Sequence, residues 1–265
     1  MVLESLYSAK KILQNPKDMF FLTMIVSTVC IFSSYFIFPA YAGIISPLLV
    51  TSAMAPLIYK IFSAEEELER KEAEKKINVG FWGRHGKTIW LFSLFFLGYL
   101  IPTFLIATLS PENFMTAAFS PQIEEIKRIR SLATGGALNP DFVQIIITNN
   151  LKVMGFSFLL SFLFGTGALF ILSWNASILA VYFAGFLRQG QFSEFFVRTL
   201  SIIPHAPIEM FAYFLAGIAG GILSVGVIRE RINSEEFSLV LKDSLILFAF
   251  AVVAVAVGAY VEVYL

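Results

Sequence analysis

The residues best suited to chemistry lie in one short stretch, Pro204-His205-Ala206-Pro207-Ile208-Glu209. His205 and Glu209 are four residues apart, so on a helix their side chains share a face. An imidazole titrates near neutral pH, and ionisable groups in membrane helices are costly, usually paired and often functional. Two interpretations follow. The pair forms a local hydrogen bond that fixes the start of a helix, or it forms a proton relay, ligand site or metal site.

Three asparagines bracket one long apolar run. Asn149 and Asn150 precede the run, and Asn175 follows it. A side-chain amide can bind free carbonyl groups where a membrane helix breaks, which is where transporters often bind substrate. The alternative is ordinary helix capping and turn formation. We predict that Asn150, Asn175, His205 and Glu209 converge as one polar cluster within a helical bundle, with Asn149 beside them.

The common catalytic patterns are absent from the chain. It contains no GxxxxGK[ST], no HExxH and no GxSxG. Two histidines and one cysteine, Cys30, leave too few ligands for a conventional zinc site. No catalytic residue, metal or cofactor is therefore assigned, and an enzymatic role is disfavoured. An intramembrane metal-dependent hydrolase that uses His205 and Glu209 is the least favoured hypothesis.

The composition is that of a membrane protein. Hydrophobic residues make up 57% of the 265 residues and charged residues 14%, against about 25% charged in a typical soluble domain. Nineteen basic residues balance nineteen acidic ones, which argues against a nucleic-acid partner because that would need a basic face. The sequence therefore predicts an all-α fold, a polytopic transmembrane helical bundle that forms a single domain over residues 1–265.

Apolar runs predict about six to seven membrane segments, at residues 19–38, 42–62, 89–109, 142–173, 176–187, 204–228 and 244–264. The fifth is too short to cross a hydrocarbon core of about 30 Å as a straight helix. It is predicted to be a half-helix, a re-entrant segment or a short span. Arg84, His85 and Lys87 are expected at the lipid headgroups as charge anchors. In the sixth segment, the GxxxG pair Gly217 and Gly221 predicts close packing within the bundle in preference to dimerisation.

Two segments are expected outside the hydrocarbon. Residues 63–78 carry Glu-to-Lys/Arg pairs at i,i+4 spacing, which predicts a solvated cytoplasmic helix. That helix is either a spacer or a docking surface for a membrane or cytoplasmic protein. Residues 110–141 predict an extracytoplasmic loop, in which Pro121–Leu132 forms an amphipathic helix.

The distribution of Lys and Arg predicts orientation. With seven crossings and a cytoplasmic N-terminus, thirteen basic residues lie inside and six outside, as the positive-inside rule favours. If residues 176–187 are re-entrant, the numbers become twelve and seven, which barely separates the two arrangements. The chain is expected in the cytoplasmic membrane, with the lipid bilayer as its main partner.

Four stretches resemble one family, the stage II sporulation protein M family of integral membrane proteins. They read TNNLKVMGFSFLLSFLFGTGALFILSWNASILAVYFAGF, IPHAPIEMFAYFLAGIAGGILS, FWGRHGKTIWLFSLFFLG and FSPQIEEIKRI, and the last two are similar to the archaeal branch. The family signature at the sixth segment is PHGxxE. Here Ala206 replaces the glycine, while His205 and Glu209 are retained.

The resemblance implies architecture and localisation more than mechanism. Bacterial members belong to a membrane complex that works with cell-wall hydrolases during engulfment of the forespore, a task that archaea do not have. The expected function is a non-enzymatic membrane component of an envelope or transport assembly. The alternative is a transporter or permease for a small solute or ion, with a polar site at His205 and Glu209.

Overall fold

Helices account for nearly all of the chain that the computed structural model describes, which is residues 9–75, 80–133, 140–231 and 234–264. These ranges contain eleven α-helices, one short 3-10 helix (Pro39–Tyr41) and no strand. The predicted all-α fold is confirmed. The helices are α1 (Ala9–Gln14), α2 (Lys17–Ile37), α3 (Ala42–Lys75), α4 (Gly80–Leu109), α5 (Glu112–Ala118), α6 (Ser120–Ala133), α7 (Pro140–Phe164), α8 (Ala168–Arg188), α9 (Phe192–Ile202), α10 (Ala206–Arg229) and α11 (Glu235–Tyr264).

Within the described ranges, seven helical segments are long and apolar enough to cross a membrane. They are Lys17–Ile37, Pro39–Ala64, Gly80–Leu109, Gln144–Phe164, Ala168–Arg188, Ala206–Arg229 and Glu235–Tyr264. Large apolar side chains cover their outer faces, such as Phe36 at 75% exposed and Val253 at 60%. Exposure of so much apolar surface to water would be unfavourable, whereas its contact with lipid tails is not. The chain is a multi-pass membrane protein.

Arg188, the last residue of α8, fastens that helix to the end of α4. Its Nη1 atom donates to three backbone carbonyl oxygens, those of Ala107 (3.1 Å), Thr108 (3.2 Å) and Ser110 (2.7 Å). Its Nη2 atom pairs with Glu112 at the start of α5. The carbonyls at a helix C-terminus have no partner in their own helix, and a cation there interacts favourably with the negative end of the helix dipole. The third and fifth spans therefore end on the same side, as alternating crossings require.

At the other end of the bundle, Asp243 connects α11 to the start of α4. Its two carboxylate oxygens lie 2.8 Å from Arg84 Nη1 and 2.9 Å from His85 Nε2. His85 is 1% exposed, so the expectation that it lies among the headgroups is wrong. The reason is that α4 begins at Gly80, nine residues before the predicted segment. The turn that contains His85 therefore belongs to the helix and lies against α11.

The predicted boundary between the fourth and fifth segments is also wrong. The helix breaks at Gly165, whose φ of +74° only glycine adopts readily. Gly167 then packs directly on the backbone of Leu160. Residues 176–187 consequently form the second half of the 21-residue helix α8. At 1.5 Å per residue that helix is about 31 Å long, so it is long enough to cross the hydrocarbon core and is not short.

Helix α10 lies at the centre of the bundle and packs chiefly against α7 and α11. Its Gly217 contacts Ala168, Gly220 contacts the carbonyl oxygen of Phe158, and Gly221 contacts the ring of Phe62. All three glycines are buried. The GxxxG pair therefore packs inside the bundle, as predicted, because the missing side chains let neighbouring backbones approach.

A helical hairpin formed by α5 and α6 enters the bundle between α3 and α8. Gln122 near the start of α6 is 1% exposed. Its Nε2 atom donates to the carbonyl oxygen of Gly43 (2.7 Å) and to Ser177 Oγ (3.1 Å). Ser177 is at the middle of α8. The tip of the hairpin therefore lies well below the end of α8, whereas residues 127–130, farther along α6, are exposed.

The close approach at Gly220 makes a testable prediction. In Gly220→Ala the new methyl group overlaps the backbone of α7, which cannot yield as a flexible side chain would. We expect a loss of about 1–3 kcal/mol in the free energy of unfolding, seen as a lower Tm in detergent. Gly185→Ala in α8 is the matched control, since nothing lies within 4 Å of its added Cβ. Equal stability of the two variants would contradict the tight α7–α10 contact.

Candidate functional site

Four polar side chains from three helices meet near one end of the bundle. They are Asn150 of α7, Glu209 and Tyr213 of α10, and Glu262 of α11, and we call them the Glu209 cluster. Asn150 and Glu209 lie close to the first residues of their spans, and Glu262 lies in the last turn of α11. The antiparallel arrangement of α11 against α7 and α10 brings them to the same level.

Asn150 connects α7 to α10 through both ends of its amide. Its Nδ2 atom donates to Glu209 Oε1, and its Oδ1 atom accepts a hydrogen bond from the Tyr213 hydroxyl at 2.9 Å. Glu209 and Tyr213 are four residues apart on α10 and therefore present a common face. All three side chains are at most 9% exposed. An amide that donates on one side and accepts on the other satisfies both neighbours at once.

The carboxyl group of Glu209 also lies within hydrogen-bonding reach of the carboxyl group of Glu262. Two carboxyl groups form such a bond only when one of them carries a proton. Gly258, one turn before Glu262, makes the approach feasible, because a Cβ at that position would lie 2.8 Å from Glu209 Cγ. A continuous set of hydrogen bonds thus runs from the buried Tyr213 to the half-buried Glu262. The arrangement can hold a proton and can join three helices.

His205 occupies the residue just before α10 and acts there through its backbone. Its carbonyl oxygen accepts from the amides of Ile208 (2.9 Å) and Glu209 (3.1 Å). Pro207 lies in the first turn. Partial burial lowers the pKa of the imidazole, so the ring is mainly neutral at pH 7. Among the described residues, no side-chain hydrogen bond joins His205 to Glu209, whose carboxyl group binds Asn150 and Glu262 instead.

The two remaining asparagines differ from Asn150. Asn149 is exposed, and its Nδ2 atom lies 3.5 Å from Asn150 Oδ1, which is at the outer limit of a hydrogen bond. Asn175 donates to the carbonyl oxygen of Ile171 at 2.7 Å, one turn earlier in the same helix. Helix α8 continues through Asn175, so the suggested break between half-helices lies at residues 165–167 and not at this amide.

Sequence reasoning missed three members of this site: Tyr213, Gly258 and Glu262. Two of them carried a signal. Tyr213 follows Glu209 by one helical turn, and Glu262 is the only charged residue in the apolar run 244–264. An ionisable residue in a membrane segment is itself a pointer to a partner. Gly258 had no signal in the sequence, since its role depends on which helix packs against it.

The described part of the chain contains no group of three or more His, Cys, Asp or Glu side chains that could hold a metal ion. The Glu209 cluster supplies two carboxyl groups, one amide and one phenol. These groups are suited to hydrogen bonding and proton binding.

Comparison with known proteins identifies a family. The model of a family described as Stage II sporulation protein M matches residues 19–265, which is nearly the whole chain. No curated protein matches the sequence. No solved structure matches it either.

The bridging amide leads to a second prediction. Asn150→Leu removes both hydrogen bonds and leaves Glu209 and the Tyr213 hydroxyl short of a partner, at a cost of about 1–3 kcal/mol for each buried group. Asn175→Leu is the matched control, because Asn175 binds only a carbonyl of its own helix. We expect a clearly lower Tm in detergent for the first variant and a small change for the second. A similar change in both would mean that the cluster does not join α7 to α10.

Proposed function

This chain belongs to the Stage II sporulation protein M family, and on that premise we propose that it is a non-enzymatic component of an envelope or transport assembly. The observation that carries the proposal is the length of α3. This helix runs without interruption from Ala42 to Lys75, although its membrane-spanning part ends at Ala64. Eleven residues therefore extend beyond the span, over about 16 Å.

The extension, residues 65–75, has the composition of a helix that meets water or a charged partner. Nine of its eleven residues carry charge, with both signs interspersed. A helix that continues directly from a membrane span is held at a fixed angle to the bundle, whereas a flexible linker is not. It therefore offers a rigid surface to a second protein with a complementary pattern of charges, and such surfaces favour specificity and register.

The orientation that we propose puts this extension in the cytoplasm. Seven crossings with a cytoplasmic N-terminus give thirteen basic residues inside and six outside, in accord with the positive-inside rule. The Glu209 cluster, α9 and the hairpin of α5 and α6 then lie toward the extracytoplasmic side of the cytoplasmic membrane. In this arrangement the partner-binding end and the buried carboxyl groups are at opposite ends of the bundle.

Site-specific photocrosslinking in the native membrane tests the assembly role. A photoreactive benzoylphenylalanine at exposed Glu67 is expected to join the chain to one discrete protein. The same group at Phe36, an exposed apolar residue on a lipid-facing helix, is the matched control and should join to none. Reversing the charges at Arg70 and Lys71 should abolish the product at position 67. A chain that gives no product there, and that purifies alone in mild detergent, would contradict the proposal.

A transporter is the second candidate, and the hydrogen bond between Glu209 and Glu262 favours it. A pair of carboxyl groups that shares a proton near one end of a bundle is typical of proton relays in membrane proteins. Glu209 lies in the first turn of the helix that follows His205, where a polar site was predicted.

Proteoliposomes with an imposed pH gradient test whether the pair conducts protons. A protein that conducts protons through the two carboxyl groups should acidify the lumen faster than protein-free vesicles, as followed by a trapped pH-sensitive dye. Glu209→Gln and Glu262→Gln should each abolish the difference, because an amide cannot release the shared proton, whereas Glu194→Gln on the exposed surface of α9 should not. Wild-type vesicles that acidify no faster than empty ones would contradict a proton pathway through this pair.

A further inference from the structure

Helix α9 connects the fifth span to the sixth and is attached to the bundle by one narrow face. The Phe195 ring stacks on Phe104 of α4, with centroids 6.2 Å apart, and meets Phe183 of α8 edge-on at 5.7 Å. None of the eleven residues of α9 is fully buried. The helix therefore lies on the side of the bundle, with most of its circumference uncovered.

The uncovered surface divides into two opposite faces. Phe192, Phe196, Leu200 and Ile203 form an apolar stripe, and each is between 57% and 68% exposed. Glu194, Arg198 and Ser201 form a polar stripe, in which Arg198 Nε lies 3.4 Å from Glu194 Oε2. At about 100° per residue, the centres of the two stripes are roughly 170° apart. Both stripes flank the face that contacts the bundle.

The depth of α9 follows from the residues that hold it. Phe104 is five residues before the last residue of α4, and Phe183 is five residues before the last residue of α8. On both helices this is about 8 Å below the end. The flanking α4 residues Ile101 and Leu105 are exposed apolar side chains on a membrane span. The apolar stripe of α9 thus lies at a level where the neighbouring helix already faces lipid.

From this geometry we propose that α9 is an interfacial membrane helix. Its apolar stripe is embedded in the acyl chains of one leaflet, and its polar stripe faces the headgroups and water. Its contacts lie about 8 Å below the ends of α4 and α8, and amphipathic helices in this position are usually buried by 5–10 Å. A water-exposed stripe of four large apolar side chains would be costly. Lipid covers the stripe without any further protein, and a separate charged face accounts for the Glu194–Arg198 pair.

Adjacent residues allow a matched test. On a Cys30→Ala background, which removes the only native thiol, a nitroxide is attached at Leu200→Cys or at Ser201→Cys. Each protein is reconstituted in vesicles of phosphatidylcholine and phosphatidylglycerol. Collision with oxygen, which partitions into the bilayer, is compared with collision with a water-soluble nickel chelate. We expect oxygen to dominate by several-fold at position 200 and the nickel chelate to dominate at position 201.

Two other outcomes would overturn the proposal. If the chelate reaches both positions equally, α9 lies in water. If both reagents are excluded at position 200, protein covers the stripe, either a second copy of the chain or another subunit. Elution of both labelled proteins at the wild-type volume in gel filtration confirms that the variants are folded, so each result reports on the position of α9.

Discussion

Hydrocarbon offers no hydrogen-bond partner, and the rest of this structure depends on that constraint. Many polar side chains in the spans bind either a carbonyl of their own helix, as Thr23 and Thr103 do, or a group on a neighbouring helix, as Asn150 does. Contacts of the second kind are fewer and determine which helices lie side by side. Arg188, Asp243 and the Glu209 cluster each join the ends of helices that are far apart in sequence.

The structure also requires that the backbones of neighbouring helices approach closely, and glycines at the contacts allow this. Gly220 lets α10 approach α7 closely enough for Ser157 to donate to the Tyr213 carbonyl oxygen at 2.9 Å. Gly258 allows α11 to accommodate the Glu209 side chain. The Glu209 cluster therefore depends on helix packing as much as on its own hydrogen bonds. A bulkier residue at either glycine would separate groups that are otherwise complementary.

Hydrophobic length predicted most of the fold, because a span of about 20 apolar residues is required by the thickness of the bilayer. The break at Gly165 was missed since apolar residues continue across it, and a positive φ leaves no trace in hydropathy. Of the partners of Glu209, Asn150 was expected near it, but Glu262 was missed for a different reason. His205 is near it in sequence, but the contacts that form are with Asn150 and Glu262, which only the packing of three helices brings close. Local spacing predicts a shared face, and it does not predict what that face meets.

The position of α9 also bears on the outline of the protein in the bilayer plane. A helix of eleven residues is about 16 Å long and about 10 Å wide, so at its proposed depth it displaces about 160 Å² of one leaflet. With α9 at that depth, this area is added to one monolayer alone, and the molecule would act as a shallow wedge. Lipids around a wedge experience unequal lateral pressure in the two monolayers.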